Sequence, residues 1–313
     1  MAAAYVRNHI ADLGPAQICQ LFYVLSAGAV LAIAAAPEIA QQLLMQYGAR
    51  SSAYPSASAL SQNGAKDSGR DTTDGICNGS LLSRFLDRLT SMGRVPHSWF
   101  IHFYIVSVLC SGFWTIQFVT HGTVLELILR NQVLVSTSSM TMGQVSLVSF
   151  LMGLQGARRL YEHLFVLRPS SSNMWFVHWL LGIGFYLCTS VSVWVEGSRS
   201  IINFGGKLVD FELPGFKSII GGMHLADLKK YSLPEKGLFR YLVCPHYTCE
   251  CLLYLSMAVI AAPQGQLYNQ TLACATLFVT INLGATANGT KQWYTKQFGS
   301  RVQRKWKMIP AVF

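Results

Sequence analysis

Long apolar runs separated by polar stretches divide this chain into membrane-length pieces. Ala16 to Ala36 carries no charge and is long enough to cross a bilayer. Arg7 and His9 precede it without a small-residue cleavage signature, so it is expected to be a retained first helix. Further spans are expected at Trp99 to Val119, about Val133 to Leu154, Trp175 to Val195, Tyr247 to Ala262, and about Leu267 to Asn288. From Gly48 to His97 the chain is rich in Ser, Gly, Asn and charge, with Arg84, Asp87 and Arg88 on a short amphipathic piece. That is a polar loop.

Between Glu196 and Lys236 the pattern fails. The most apolar window, Ser200 to Met223, holds Lys207, Asp210, Glu212, Pro214 and Lys217. Each ionic group there would cost about 2.5 to 3.5 kcal/mol at mid-membrane. Either a re-entrant or broken element lines a polar cavity there, or a helix has been replaced.

Composition agrees with the runs. Of 313 residues, 51% are hydrophobic and only 12% charged, which is more apolar surface than one soluble core needs. The net charge of +10 does not point to nucleic acid, because the basic residues lie between spans and after the last one. Eight cysteines are scattered, and Cys249 with Cys251 lacks a second pair at metal-ligand spacing, so neither a disulfide framework nor a metal site is expected.

Lys291, Lys296, Arg301, Arg304, Lys305 and Lys307, with no acid among them, place the carboxy terminus in the cytosol. Counting back, Arg158, Arg159 and Arg168 are also cytosolic only if the chain crosses once between Glu196 and Lys236. Seven crossings satisfy the charge rule; six break it. The expected fold is an all-α polytopic membrane helix bundle of six or seven transmembrane helices without a Rossmann domain. Residues 1–98 form the first helix and its polar loop, and 99–313 the remaining bundle with a carboxy-terminal region.

Three stretches carry chemistry at span ends. Gln155, Arg158, Arg159 and Glu162 form one polar stripe on a helix; it could hold a phosphate through the arginine fork, or anchor the helix with an Arg158 to Glu162 pair. In Gly237 to Glu250, GLFRYLVCPHYTCE, Pro245 opens a helix with Tyr247, Glu250 and Tyr254 on one face. A carboxylate so close to hydrocarbon is a candidate functional group, or else pairs locally with Arg240 at the headgroup level. His102, Tyr104 and Gln117 in the second span need partners within the bundle.

Four stretches together, VPHSWFIHFY (95–104), QGARRLYE (155–162), GLFRYLVCPHYTCE (237–250) and TKQWYTKQF with RKWKMIP (290–310), resemble the polyprenol/polyprenal reductase branch of the steroid 5-alpha-reductase family. The resemblance covers the second to fourth spans and everything after Leu228. It implies a multi-pass endoplasmic-reticulum enzyme that uses NADPH to reduce the alpha-isoprene double bond of a long-chain polyprenoid in dolichol biosynthesis. The cofactor is then held by the cytosolic ends of the carboxy-terminal helices; no G-x-G-x-x-G stands between a strand and a helix here.

Carried over, the resemblance assigns cofactor contacts to Arg159, His246, Tyr247, Glu250 and Tyr294, with Arg240, Lys291 and Lys305 suited to phosphates. For polarising an enal carbonyl, His102 and Tyr104 are the candidates, with Glu250 beside them as a third catalytic residue. Two departures stand out: Lys291 replaces a histidine usual in relatives, and Ile201 to Met223 does not resemble their helix, leaving His224 and Asp227 as remnants. Competing functions are a steroid or enoyl-thioester reductase of the same superfamily, a non-catalytic lipid-binding scaffold, and a small membrane methyltransferase.

Overall fold

The computed structural model describes residues 13–36, 93–166, 173–204 and 236–313. Lys207, Asp210, Glu212, Lys217, His224 and Asp227 lie outside them, as does the polar loop before residue 93. Helix α1, Pro15–Ala34, opens on the residue whose missing amide would have no helical partner. The next amide, Ala16 N, donates to buried Gln132 Oε1 at 3.0 Å. A 3₁₀ turn, His97–Phe100, leads into α2, Ile101–Thr120, which stops at His121 in the left-handed region (φ 49°).

The expected single span at 133–154 is instead two helices. Amphipathic α3, Thr123–Val135, turns Leu125, Leu129 and Gln132 inward and the Glu126–Arg130 pair (3.2 Å) outward. The chain then breaks, and α4, Met142–Tyr161, starts at Thr141. The break follows from the Ser136 to Thr141 run, whose hydroxyls compete with helical hydrogen bonding. Thr141 Oγ1 accepts from Gln144 N at 3.3 Å while Gln144 Oε1 accepts from Thr141 N at 2.8 Å, a reciprocal cap.

After a one-turn π-helix, Glu162–Val166, come α5, Phe176–Ser192, a 3₁₀ turn at Val195–Gly197, and α6, Ser198–Phe204. Helix α7, Pro245–Ile260, has proline at its first turn as expected; α8, Gln270–Phe298, and α9, Ser300–Gln303, follow. Strands β1, Arg94–Pro96, and β2, Asn173–Trp175, pair antiparallel and tie the starts of α2 and α5 together. The spacing of apolar residues gave no sign of that ribbon.

Among the described residues, four stretches are long and apolar enough to cross a membrane: Pro15–Ala34, His97–Thr120, Phe176–Phe204 and Gln270–Phe298. The chain is thus a polytopic helix bundle, with no Rossmann unit among the described residues. Helix α8 packs on α1 and α7, and α2 on α4 and α5. Polar side chains knit these contacts, as they must where no water competes. Buried Tyr23 Oη lies 3.1 Å from Thr189 Oγ1 and 3.0 Å from Ser192 Oγ, Trp114 Nε1 donates to Ser190 Oγ (3.1 Å), and Gln20 Nε2 donates to Thr271 Oγ1 (3.0 Å).

At the opposite ends of α5 and α8, Glu196 fastens the bundle. Its Oε1 accepts from Thr271 N (2.8 Å) and Thr271 Oγ1 (2.6 Å), a negative charge against the amino terminus of α8. Glu196→Ala leaves those two donors without an acceptor, a loss of about 1–3 kcal/mol. The expected result is a clearly lower unfolding midpoint in detergent; an unchanged midpoint would contradict this role.

One end of the bundle gathers the carboxy ends of α1 and α4 and the amino ends of α2, α5 and α7 around a single cavity.

Candidate active site

The cavity at this end has a volume of about 330 Å³. Its polar wall includes Tyr104 from α2, Arg159 from α4, His178 and Tyr186 from α5, Tyr247 and Glu250 from α7, and Asn282, Thr286, Asn288 and Gln292 from α8. Apolar Val30, Phe103, Phe185 and Phe278 close the other side. Arg159 stands in the last turn of α4, where a cation suits the helix dipole. Gly156, one turn earlier, lets α4 approach α2 so closely that a Cβ there would lie 3.2 Å from Ser107 Cβ. That approach brings Arg159 over Tyr104, its guanidinium carbon 5.4 Å from the ring centre.

Arg159 joins the two acidic groups of the site. Its Nη2 is 4.0 Å from Glu250 Oε2 and its Nη1 3.5 Å from Glu162 Oε2. Arg158 instead faces outward, with its side chain 68% exposed, and holds Glu162 at 2.8 Å. The stripe is therefore divided: Arg158 forms the intrahelical pair, and Arg159 reaches across to α7. Glu250 is paired with Arg159, not with Arg240, which is exposed at the end of the Gly237–Arg240 turn. The buried Nε–H of Arg159 has no hydrogen-bond partner among the described residues. A buried donor of this kind calls for an acceptor, which an anionic or carbonyl oxygen would supply.

Two rings and a cation converge on Tyr104: Tyr186 at 6.2 Å, His163 at 5.5 Å, and the Arg159 guanidinium above it. His163 belongs to the π turn after α4, a local irregularity often found at functional sites. Partial burial, and secondly the charge of Arg159, hold its imidazole below the ordinary range, so it is neutral near neutral pH.

The tail and the 237–250 loop are clasped together. Val243 N donates to Trp306 O (2.8 Å), Cys244 N to Lys307 O (3.0 Å), and Trp306 N to Tyr241 O (2.8 Å). Beneath the clasp Val243, Cys244, Ala287, Val302 and Met308 form a small core against which Tyr247, Tyr294 and Phe298 pack. Lys291 Nζ donates to Lys305 O at 2.7 Å and Lys305 Nζ to Phe239 O at 2.8 Å, so both fold the tail back. The Lys307 ammonium is held below its usual range by burial and by Lys291 nearby.

Of the other sequence candidates, exposed His246 stacks near Phe239 and Tyr247 at the rim. Tyr294 serves the small core, and neither it nor Lys291 or Lys305 lines the cavity. His102 also stands outside the cavity wall; its Nδ1 accepts from Trp179 Nε1 at 3.3 Å, within a cluster with Trp99. Gln117, singled out with it, accepts from Leu125 N at 3.2 Å and fastens α3 to α2. Sequence reasoning missed Tyr186, His163 and Asn282 as site residues. Tyr186 sits in an otherwise apolar run, and its single hydroxyl was the available signal.

The family model for 3-oxo-5-alpha-steroid 4-dehydrogenase matches residues 213–313. A polyprenal reductase of Saccharomyces cerevisiae is 31% identical over 160 residues, covering 50% of this chain and 60% of the yeast protein. The chain is similar to this family over that carboxy-terminal stretch, and it spans less than two thirds of the yeast protein's length. Polyprenal reductases of Caenorhabditis elegans and Homo sapiens are similar to it over 252 residues, at 26% and 25% identity, covering 70% of this chain and 79% and 78% of theirs. No solved structure matches significantly. The family match begins at residue 213, inside the stretch whose hydrophobic pattern departs from the family's, and runs through Glu250 and the basic tail. Tyr104 and Arg159 precede it.

Proposed function

We propose that this chain is an NADPH-dependent reductase of the alpha-isoprene double bond of a long-chain polyprenal. In that reading it serves dolichol formation, and through it protein N-glycosylation, at the endoplasmic reticulum membrane with its carboxy terminus in the cytosol. The observation that carries the reading is the Arg159–Glu250 pair set beside Tyr104 in a cavity at the end of a membrane bundle. The polyprenal reductases among the relatives give the substrate class.

When bound, NADPH would supply the hydride for the beta carbon of the enal; a proton added at the alpha carbon completes the saturated aldehyde, with NADP⁺ as the other product. As the hydride arrives, negative charge grows on the carbonyl oxygen. Hydroxyls of Tyr104 and Tyr186 line the cavity as donors, and such preorganised donors stabilise a developing oxyanion. Arg159, steadied by Glu250 and Glu162, keeps positive charge beside Tyr104 and offers its unsatisfied Nε–H to an anionic oxygen. Lys291, Lys305 and Lys307 at the clasp, with Arg240 and His246 at the rim, suit the cofactor's phosphates. Tyr247 would flank its ring system, with Tyr294 behind it. His102 acts through Trp179 packing at the mouth of α2.

Purified protein in nanodiscs should bind NADPH with a fluorescence change that polyprenal modifies and S-adenosylmethionine does not compete away. No NADPH binding would favour the lipid-binding scaffold, and displacement by S-adenosylmethionine the methyltransferase. Preferential reduction of a 3-oxo-4-ene steroid would assign the steroid-acting branch.

A further inference from the structure

A second cavity, about 1050 Å³, lies between α2, α3, α4, α5 and α6. It meets the upper end of the roughly 300–1,000 Å³ typical of small-molecule sites and is three times the size of the polar cavity. Its wall is chiefly apolar, with Trp114, Leu129, Val145, Met152 and Trp194 among its residues, and it runs along α2 from Ser107 to His121. At 1.5 Å of rise per residue that is about 20 Å, most of the hydrocarbon thickness. Tyr186 lines both cavities. It is therefore the residue at which the charged site and the apolar chamber adjoin.

We infer that the apolar cavity holds the isoprenoid chain of the substrate, with Tyr186 marking where the reacting head passes into the polar cavity. This rests on the polyprenal reading above and adds where the remainder of the molecule goes. A polar cavity of about 330 Å³ that must also admit a nicotinamide has no room for several isoprene units. The chamber opens past Val119, Phe150 and Leu154, each more than 40% exposed, so a chain longer than the chamber continues into lipid.

Gly112 provides the test. It lines the chamber, and a Cβ there would meet nothing within 4 Å, so a larger side chain projects into the chamber without forcing the helices apart. Gly28 on α1 is exposed, is equally unobstructed, and lies outside both cavities. Gly112→Leu should lower kcat/KM for a long-chain polyprenal by about tenfold or more, the order expected from a misfit of a few methylenes. A short enal such as citral should be reduced within about twofold of the wild type, and Gly28→Leu should change neither.

A second readout needs no turnover. A polyprenol bearing a diazirine on its distal isoprene units should label α2 and α4 on the chamber side, compete with unlabelled polyprenol, and lose that label in Gly112→Leu but not in Gly28→Leu. Equal loss of long and short enal reduction with unaltered labelling would overturn the inference, as would labelling confined to the outer faces around Leu109 and Ile116. A photoreactive residue at position 112 that crosslinks to residues 205–235 instead of to polyprenol would give the chamber to that segment. If no variant reduces any enal while Gly112-sensitive labelling persists, the reductase reading fails and the lipid chamber stands.

Discussion

Exchange of Glu250 for glutamine should abolish turnover of long-chain polyprenal while the protein still inserts and folds. The substitution keeps the shape of the side chain and removes only its charge. Glu250 is three-quarters buried at the side chain and sits 4.0 Å from Arg159, whose other acidic neighbour, Glu162, is shared with Arg158. Without the carboxylate, Arg159 is free to swing toward Glu162 and away from Tyr104. The charge pattern facing a nicotinamide and a developing enolate is then lost, and such preorganised groups are each worth about a hundredfold or more in kcat. Unchanged turnover would remove Glu250 from the site.

Arg159→Ala and Arg158→Ala should differ sharply although the residues are adjacent. Arg158 makes a solvent-exposed pair of the kind that contributes about 0–1 kcal/mol. Arg159 faces Glu250 and the Tyr104 ring and carries a buried, unsatisfied Nε–H. Loss of a hydrogen bond to a charged group is worth about 1.5–3 kcal/mol. The apparent NADPH requirement should therefore rise about tenfold or more in Arg159→Ala and only slightly in Arg158→Ala. Equal, small effects would return both residues to the role of membrane anchors.

Most of the bundle was legible because lipid imposes a simple rule: uncharged runs of span length must be helices. Pro245 likewise marked the start of α7 through the chemistry of its missing amide. Reading one span over 133–154 failed because Leu134 and Val135 carry the apolar run right up to Ser136 to Thr141, where the backbone leaves the helix before the apolar pattern resumes. Hydropathy averages over such a break, whereas the Thr141–Gln144 cap was visible as a motif and would have located it.

The site was half legible. Arg159, Tyr247, Glu250 and Tyr104, all from the family-like stretches, do line one cavity. Lys291, Lys305 and Tyr294 belong to the clasp beside it, because lysines spaced along a tail say nothing of which carbonyls they will reach. Tyr186 was silent for a physical reason. Its place is set by Gly182 and Phe103 one turn away, where a Cβ on the glycine would lie within 3 Å of the Phe103 ring, and such close packing leaves no periodic trace in one sequence.

The central claim, that this end of the bundle passes hydride from NADPH to a polyprenal, has one direct measurement. Purified protein in nanodiscs would be given NADPH deuterated at the transferring position together with a long-chain polyprenal, and the lipid product analysed by mass spectrometry. Deuterium at the beta carbon of the alpha-isoprene unit, absent with Glu250→Gln, is the predicted result. A saturated product without deuterium, or no saturated product from well-folded protein that binds both ligands, would contradict it.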